Sequence, residues 1–123
     1  MGDTTLSKVL VVEDDPLVRL VAVGMVESAG FETVEAPDAD RAIAILEADP
    51  EIRVVFTDVQ MPGTMDGLKL AYFIRHRWPP IHLIVASGAD MSVAAHLPSR
   101  AVFLPKPYRM DKIETTLRSM IGA

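Results

Sequence analysis

An α/β fold, with one parallel five-stranded sheet covered by helices on both faces, is predicted by three features of the sequence. Five short segments rich in β-branched and other apolar residues alternate with segments whose apolar residues recur at helical spacing. No repeat, linker or low-complexity tract interrupts the alternation, so residues 1–123 read as a single domain. Acidic, hydroxyl and basic residues stand just after the strand segments, where ligands of parallel sheets bind.

Taken in order, residues 8–12 form the first strand, stopped by Glu13-Asp14-Asp15-Pro16. Asp15 is suited to cap the next helix, with Pro16 at its first position, where a missing N–H costs nothing. Leu17, Leu20, Val21, Met25 and Val26 recur at helical spacing, and Gly30 closes that helix. Residues 31–36 are a second strand. Pro37-Asp38 opens a helix with Ala39, Ala42, Ile43 and Leu46 on one face, stopped at Asp49-Pro50. Residues 54–57 form the central strand, followed by Asp58 and a Met-Pro-Gly turn.

Asp66-Gly67 starts a third helix carrying Leu68, Ala71, Tyr72 and Arg75, ended by Pro79-Pro80. Residues 81–86 are the fourth strand, with Ser87-Gly88 at its tip. Asp90–Leu97 predicts a short fourth helix, cut off by Pro98 and Ser99. Residues 101–104 make the fifth strand, and Pro105-Lys106-Pro107-Tyr108 turns the chain. The last helix shows Ile113, Leu117 and Ile121 four residues apart.

Composition narrows the function. Half of the 123 residues are hydrophobic, and a domain of this size buries roughly two-thirds of its unfolded surface. The absence of cysteine excludes disulfides, thiolate metal sites and thiol catalysis. A net charge of −5 argues against direct contact with nucleic acid. The apolar run Val9–Val12 is too short for a signal peptide or a membrane span, so no membrane insertion and a cytoplasmic location are expected.

The chemistry is carried by the strand ends. Glu13, Asp14 and Asp58 would bring three negative charges into one crevice. At 4 Å each pair repels by about 1 kcal/mol in water and about 4 kcal/mol at an effective dielectric of 20. Hard oxygen donors, with neither cysteine nor histidine among them, point to Mg²⁺ as the compensating cation. Lys106 offers a second positive charge. Such a pocket suits phosphoryl transfer to Asp58, an ionised carboxylate that needs no separate base. Lys106 and the Ser87 hydroxyl would bind phosphoryl oxygens.

These residues, in this order, resemble the receiver domain of two-component response regulators along essentially the whole chain. The matching features are Glu13-Asp14-Asp15, Asp58-Val-Gln-Met61-Pro62, Met65-Asp66-Gly67, Ser87-Gly88 and Lys106-Pro107. The resemblance implies a flavodoxin-like, doubly wound (βα)5 fold with strand order 2-1-3-4-5. It implies Asp58 as phosphoacceptor, Asp14 and Asp58 as direct Mg²⁺ ligands, Glu13 acting through water and Gln60 contributing its backbone carbonyl. It places Ser87 and Phe103 in the switch and makes Lys106–Pro107 a cis bond. A sensor histidine kinase or a histidine phosphotransfer protein becomes the phosphoryl donor, with a downstream protein as target. The segment between Asp58 and Gly67 is one residue longer than the family pattern, and the one between Ser87 and Phe103 is shorter, which predicts a stunted fourth helix.

Taken singly, each residue has an ordinary reading. Glu13-Asp14-Asp15 suits any acidic helix start, Asp58 and Ser87-Gly88 any turn, Lys106 any solvated loop, and Phe103 any core. His76, His82 and His96 show no ligand spacing. The expected function is a stand-alone receiver, not an enzyme beyond its own phosphorylation and dephosphorylation, since the chain ends about one helix after Lys106. Two alternatives stand beside it. One is a Mg²⁺-dependent phosphatase with an aspartyl-phosphate intermediate, in which Gln60 stands where a general acid is wanted. The other is a receiver-like module that binds partners without phosphorylation.

Overall fold

The computed structural model describes residues 7–61, 63, 65–88 and 91–121. The N-terminal residues 1–6, Pro62 and Thr64 of the loop after Asp58, and Ala89 and Asp90 at the expected start of the fourth helix lie outside the described residues. The elements run β1 (Lys8–Val12), α1 (Pro16–Ser28), β2 (Glu32–Ala36), α2 (Ala39–Ala48), β3 (Ile52–Asp58), α3 (Gly67–Arg77) and β4 (His82–Ser87). A 3₁₀ helix (Met91–His96), β5 (Ala101–Pro105) and α4 (Met110–Ile121) complete the chain. The five strands are parallel in the order 2-1-3-4-5. The expected fold is therefore present, and a single 3₁₀ turn region replaces a full fourth helix.

Side chains alternate across each strand, and the alternation divides the core in two. Val9, Val11, Val54, Phe56, Ile84 and Ala86 face α1 and α4, against Val23, Val26, Ile113 and Leu117. Leu10, Val12, Val55, Leu83 and Val85 face the other way, against Ala42, Leu46, Leu70, Ile74 and Val93. Caps fix the helix starts. Asp15 accepts from the amides of Leu17 and Val18, Asp38 from Arg41 and Asp66 from Lys69.

Two helix faces differ from expectation. In α1 the buried residues are Ala22, Val23 and Val26, whereas Leu17, Leu20 and Val21 are 74%, 66% and 51% exposed. This helix is apolar nearly all round, so spacing alone selects no unique inward stripe. In α3 the buried stripe is Gly67, Leu70, Ala71 and Ile74, displaced by one position from the expected Leu68, Ala71, Tyr72 and Arg75. Tyr72 and Arg75 instead hold the segment that replaces the fourth helix. The Tyr72 hydroxyl donates to the His96 carbonyl at 2.6 Å and Arg75 Nε donates to the Ser99 carbonyl at 2.8 Å. The central strand is also longer than its apolar run, taking in Ile52, Arg53 and Asp58 itself.

Candidate functional site

Strand register sets the site. Val12 pairs with Thr57, so Glu13, the residue after β1, is level with Asp58 at the end of β3. Asp58 pairs with Ala86, placing Ser87 one step higher, and Ser87 pairs with Pro105, placing Lys106 one step higher again. Backbone bonds hold this staircase: Glu13 N to the Ala36 carbonyl, Val59 N to Ala86 and Lys106 N to Ser87, all at 3.0–3.1 Å. Local chemistry alone would not converge these residues. Parallel pairing does.

Lys106 Nζ lies 3.0 Å from Asp58 Oδ1 and 3.1 Å from Glu13 Oε1. Asp58 and Glu13 are only 6% and 3% exposed, and Ser87 is buried beside them. Asp14 is exposed at the mouth. One carboxylate oxygen each from Glu13, Asp14 and Asp58 lies within 4.8 Å of the others. From the sequence, Lys106 is a second positive charge beside three carboxylates; its direct pairing with Glu13 is an addition from the structure. Glu13 Oε2 also accepts from the Asp15 amide at 3.1 Å.

The site is electrostatically strained toward negative charge. Burial pushes the Asp58 carboxyl above its usual range, opposed by the Lys106 hydrogen bond and charge and the Val59 amide, and reinforced by the charge of Asp14. Burial also raises Glu13, against the Asp15 amide and Lys106, with Asp58 adding repulsion. Burial pulls Lys106 down, but its hydrogen bonds to Asp58 and Glu13 outweigh that, and the ammonium is held above its ordinary value. Three carboxylates against one ammonium leave two negative charges uncompensated. A divalent, oxygen-seeking cation fits that donor set in charge and in hardness.

The sign of the pH effect follows. An acid whose folded pKa is raised favours the fold fully below its ordinary pKa, and this contribution is lost as pH rises through the raised value. Asp58→Asn is therefore expected to raise the melting temperature at neutral pH by a few degrees, about 4 °C per kcal/mol of relieved repulsion. The gain should vanish below the ordinary aspartate range. Melting curves from pH 3 to 8 check this; equal melting temperatures at neutral pH would contradict it.

Two residues support the site in ways the sequence does not reveal. Arg19 of α1 donates to the Glu13 carbonyl at 2.8 Å and to Glu35 Oε1 at 3.1 Å, pinning the turn that carries Glu13 and Asp14. Its position one turn after the Asp15 cap was the available signal. Gly67 is the other. Its amide donates to the Val59 carbonyl at 2.8 Å, and a Cβ there would overlap the Asp58 carbonyl oxygen. Phe103 is part-buried and packs against the core on the α2 and α3 side. Gln60 is exposed, and Met61 and Met65 pack part-buried against the same core. The Lys106–Pro107 bond is cis. No helix among the described residues is long and apolar enough to cross a membrane.

Comparison with known proteins bears on the family and the fold. The family model for the response regulator receiver domain matches residues 9–118. The chain is 38% identical over 117 residues to the sensor kinase CckA of Brucella abortus, covering 92% of this chain and 12% of that protein. It is 39% identical over 105 residues to the response regulator protein FleR of Pseudomonas aeruginosa, covering 83% of this chain and 22% of FleR. The crystal structure of the receiver domain of NtrX from Brucella abortus superposes with a TM-score of 0.84 at 28% identity, over 94% of this chain and 98% of that one. The chain thus spans under a quarter of the length of these two curated relatives.

Proposed function

The chain belongs to the response regulator receiver domain family, and on that premise we propose that Asp58 accepts a phosphoryl group and that the chain is a phosphorylation-dependent protein-binding switch. One observation carries the proposal: a buried carboxylate at the tip of the central strand is held 3.0 Å from a lysine ammonium and beside two further acids. The donor is a phosphohistidine on a sensor histidine kinase or a histidine phosphotransfer protein. The likeness to CckA, a sensor kinase by name, supports a donor of that kind.

An Asp58 oxygen attacks phosphorus and forms the new P–O bond. The bond from phosphorus to the donor nitrogen breaks, and its electron pair leaves with the imidazole; with acetyl phosphate the pair leaves with acetate. Lys106, already placed between the two carboxylates, meets a phosphoryl oxygen as charge moves there, and the Ser87 hydroxyl meets another. Asp14 and Asp58 would hold Mg²⁺ directly, Glu13 through a water, and Gln60 by its backbone carbonyl. Bound there, the ion would offset charge on the phosphoryl oxygens. Arg19 keeps the Glu13–Asp14 turn in place throughout.

Incubation with acetyl phosphate and Mg²⁺ should add one phosphoryl group per chain, seen by intact mass. Equal labelling in EDTA would count against the metal role. Continuous turnover of a phosphomonoester would favour the phosphatase reading, and normal partner capture by Asp58→Asn the phosphorylation-independent one.

Inward movement of Ser87 would vacate space that Phe103, now part-buried, can enter. Beryllofluoride is expected to bury the Phe103 ring and shift its NMR resonances. Identical ring environments with and without the mimic would remove Phe103 from the switch.

A further inference from the structure

Two carboxylates explain why Lys106 is charged, but not why its ammonium stays between them. A lysine has a flexible four-carbon stem and a strongly hydrated head, and here open space adjoins it. A groove of about 250 Å³ is lined by Lys106, Pro107 and Tyr108 on one side and by Val18, Val21 and Met25 of α1 on the other. An ammonium free to swing would find water there.

The Lys106 ammonium also lies over the ring of Tyr108, 5.8 Å from its centroid. That ring is itself braced. It meets Phe56 edge-on, with centroids 5.2 Å apart and planes at 67°. Phe56 is fully buried on β3, two residues before Asp58. The aromatic face toward Lys106 therefore leans on the strand that carries the acceptor. Burial, then the charges of Glu13 and Asp58, push the Tyr108 hydroxyl well above its usual range, so the ring stays neutral.

We propose that Tyr108 is a positioning residue for the phosphoryl transfer: its ring face holds the Lys106 ammonium over the Glu13–Asp58 pair, preset for the incoming phosphoryl oxygens. The inference rests on the reading of Asp58 as acceptor. A cation over an aromatic face gains attraction from the ring quadrupole, most when partly desolvated. The hydroxyl has no part in this, so phenylalanine should serve as well as tyrosine. An aliphatic side chain fills the space without the quadrupole, and a perfluorinated ring keeps the shape with the quadrupole reversed.

The test uses the full chain with Tyr108→Phe, Tyr108→Leu and pentafluorophenylalanine in place of Tyr108. Labelling by acetyl phosphate with Mg²⁺ should stay within about twofold in the Phe variant. It should fall about two- to thirtyfold in the other two, in the rate at saturating acetyl phosphate and not in the concentration for half-saturation. The Lys106 ε-methylene resonance, read without metal or donor, should be retained in the Phe variant and move to an ordinary lysine position in the Leu variant. A pentafluoro variant that labels at the unmodified rate would overturn the proposal, as would a Lys106 resonance unmoved by Leu. If Leu unfolds the chain, the shape-conserving pentafluoro variant decides. Should the unmodified chain take no label, the acceptor reading fails, while the Lys106 resonance still decides whether Tyr108 holds the ammonium.

Discussion

Lys106→Met is expected to slow phosphoryl transfer to Asp58 by about 100- to 1000-fold, the usual effect of removing one preorganised donor from a site of developing charge. Methionine keeps an apolar stem as long as the lysine's methylene chain and removes the cation. In the unphosphorylated chain the same change leaves Glu13 and Asp58 buried side by side with no ammonium between them. Breaking a buried ion pair costs about 3–5 kcal/mol. Lys106 is about a quarter exposed, and either acid can escape by protonation, so the lower end, about 3 kcal/mol at neutral pH, is expected. The deficit should shrink as pH falls, because both acids already have raised pKa values and would rise further without Lys106. Rates by intact mass and denaturant melts at pH 5 and pH 8 test the two halves separately. A variant that labels normally would remove Lys106 from the chemistry.

Gly67→Ala should be nearly as damaging by an unrelated route. α3 starts against the backbone of the acceptor strand, and a Cβ at 67 would overlap the Asp58 carbonyl oxygen and come within 2.9 Å of Val59 Cα. Both are backbone atoms and cannot rotate aside. Either α3 lifts or Asp58 shifts. Overpacking of this kind costs about 3 kcal/mol, and the displaced acceptor should label more slowly even where the chain is folded. Gly24 of α1 gives the control. A Cβ there meets nothing within 4 Å, so Gly24→Ala should be neutral or stabilise the helix by up to about 1 kcal/mol. Equal effects at the two positions would show that the close approach at Gly67 carries no weight.

The parts legible without any resemblance share a cause: they are set by residues close together in the chain. Asp15-Pro16, Asp38 and Asp66 cap helices through bonds to amides two or three residues on, so each start could be read directly. Strand order was legible through family resemblance, and the gathering of Glu13, Asp14, Asp58 and Lys106 through the placement of polar residues at strand ends. The inward faces of α1 and α3 were not, because Leu17, Leu20 and Val21 are as apolar as the residues that face the sheet. Tyr72 and Arg75 fit a helical stripe by spacing, yet pair with His96 and Ser99, more than twenty positions away. The same limit hid the bond from Lys106 to Glu13 and the brace from Phe56 to Tyr108. Each joins segments far apart in the chain that only strand pairing brings together.

The most direct measurement is the chemical identity of the labelled residue. The chain is incubated with acetyl phosphate and Mg²⁺, reduced with borohydride to trap any acyl phosphate, digested and sequenced by mass spectrometry. Conversion of Asp58 to homoserine, and of no other aspartate, is the expected result. Trapping at Asp14 or Asp15, or label that persists in Asp58→Asn, would contradict it.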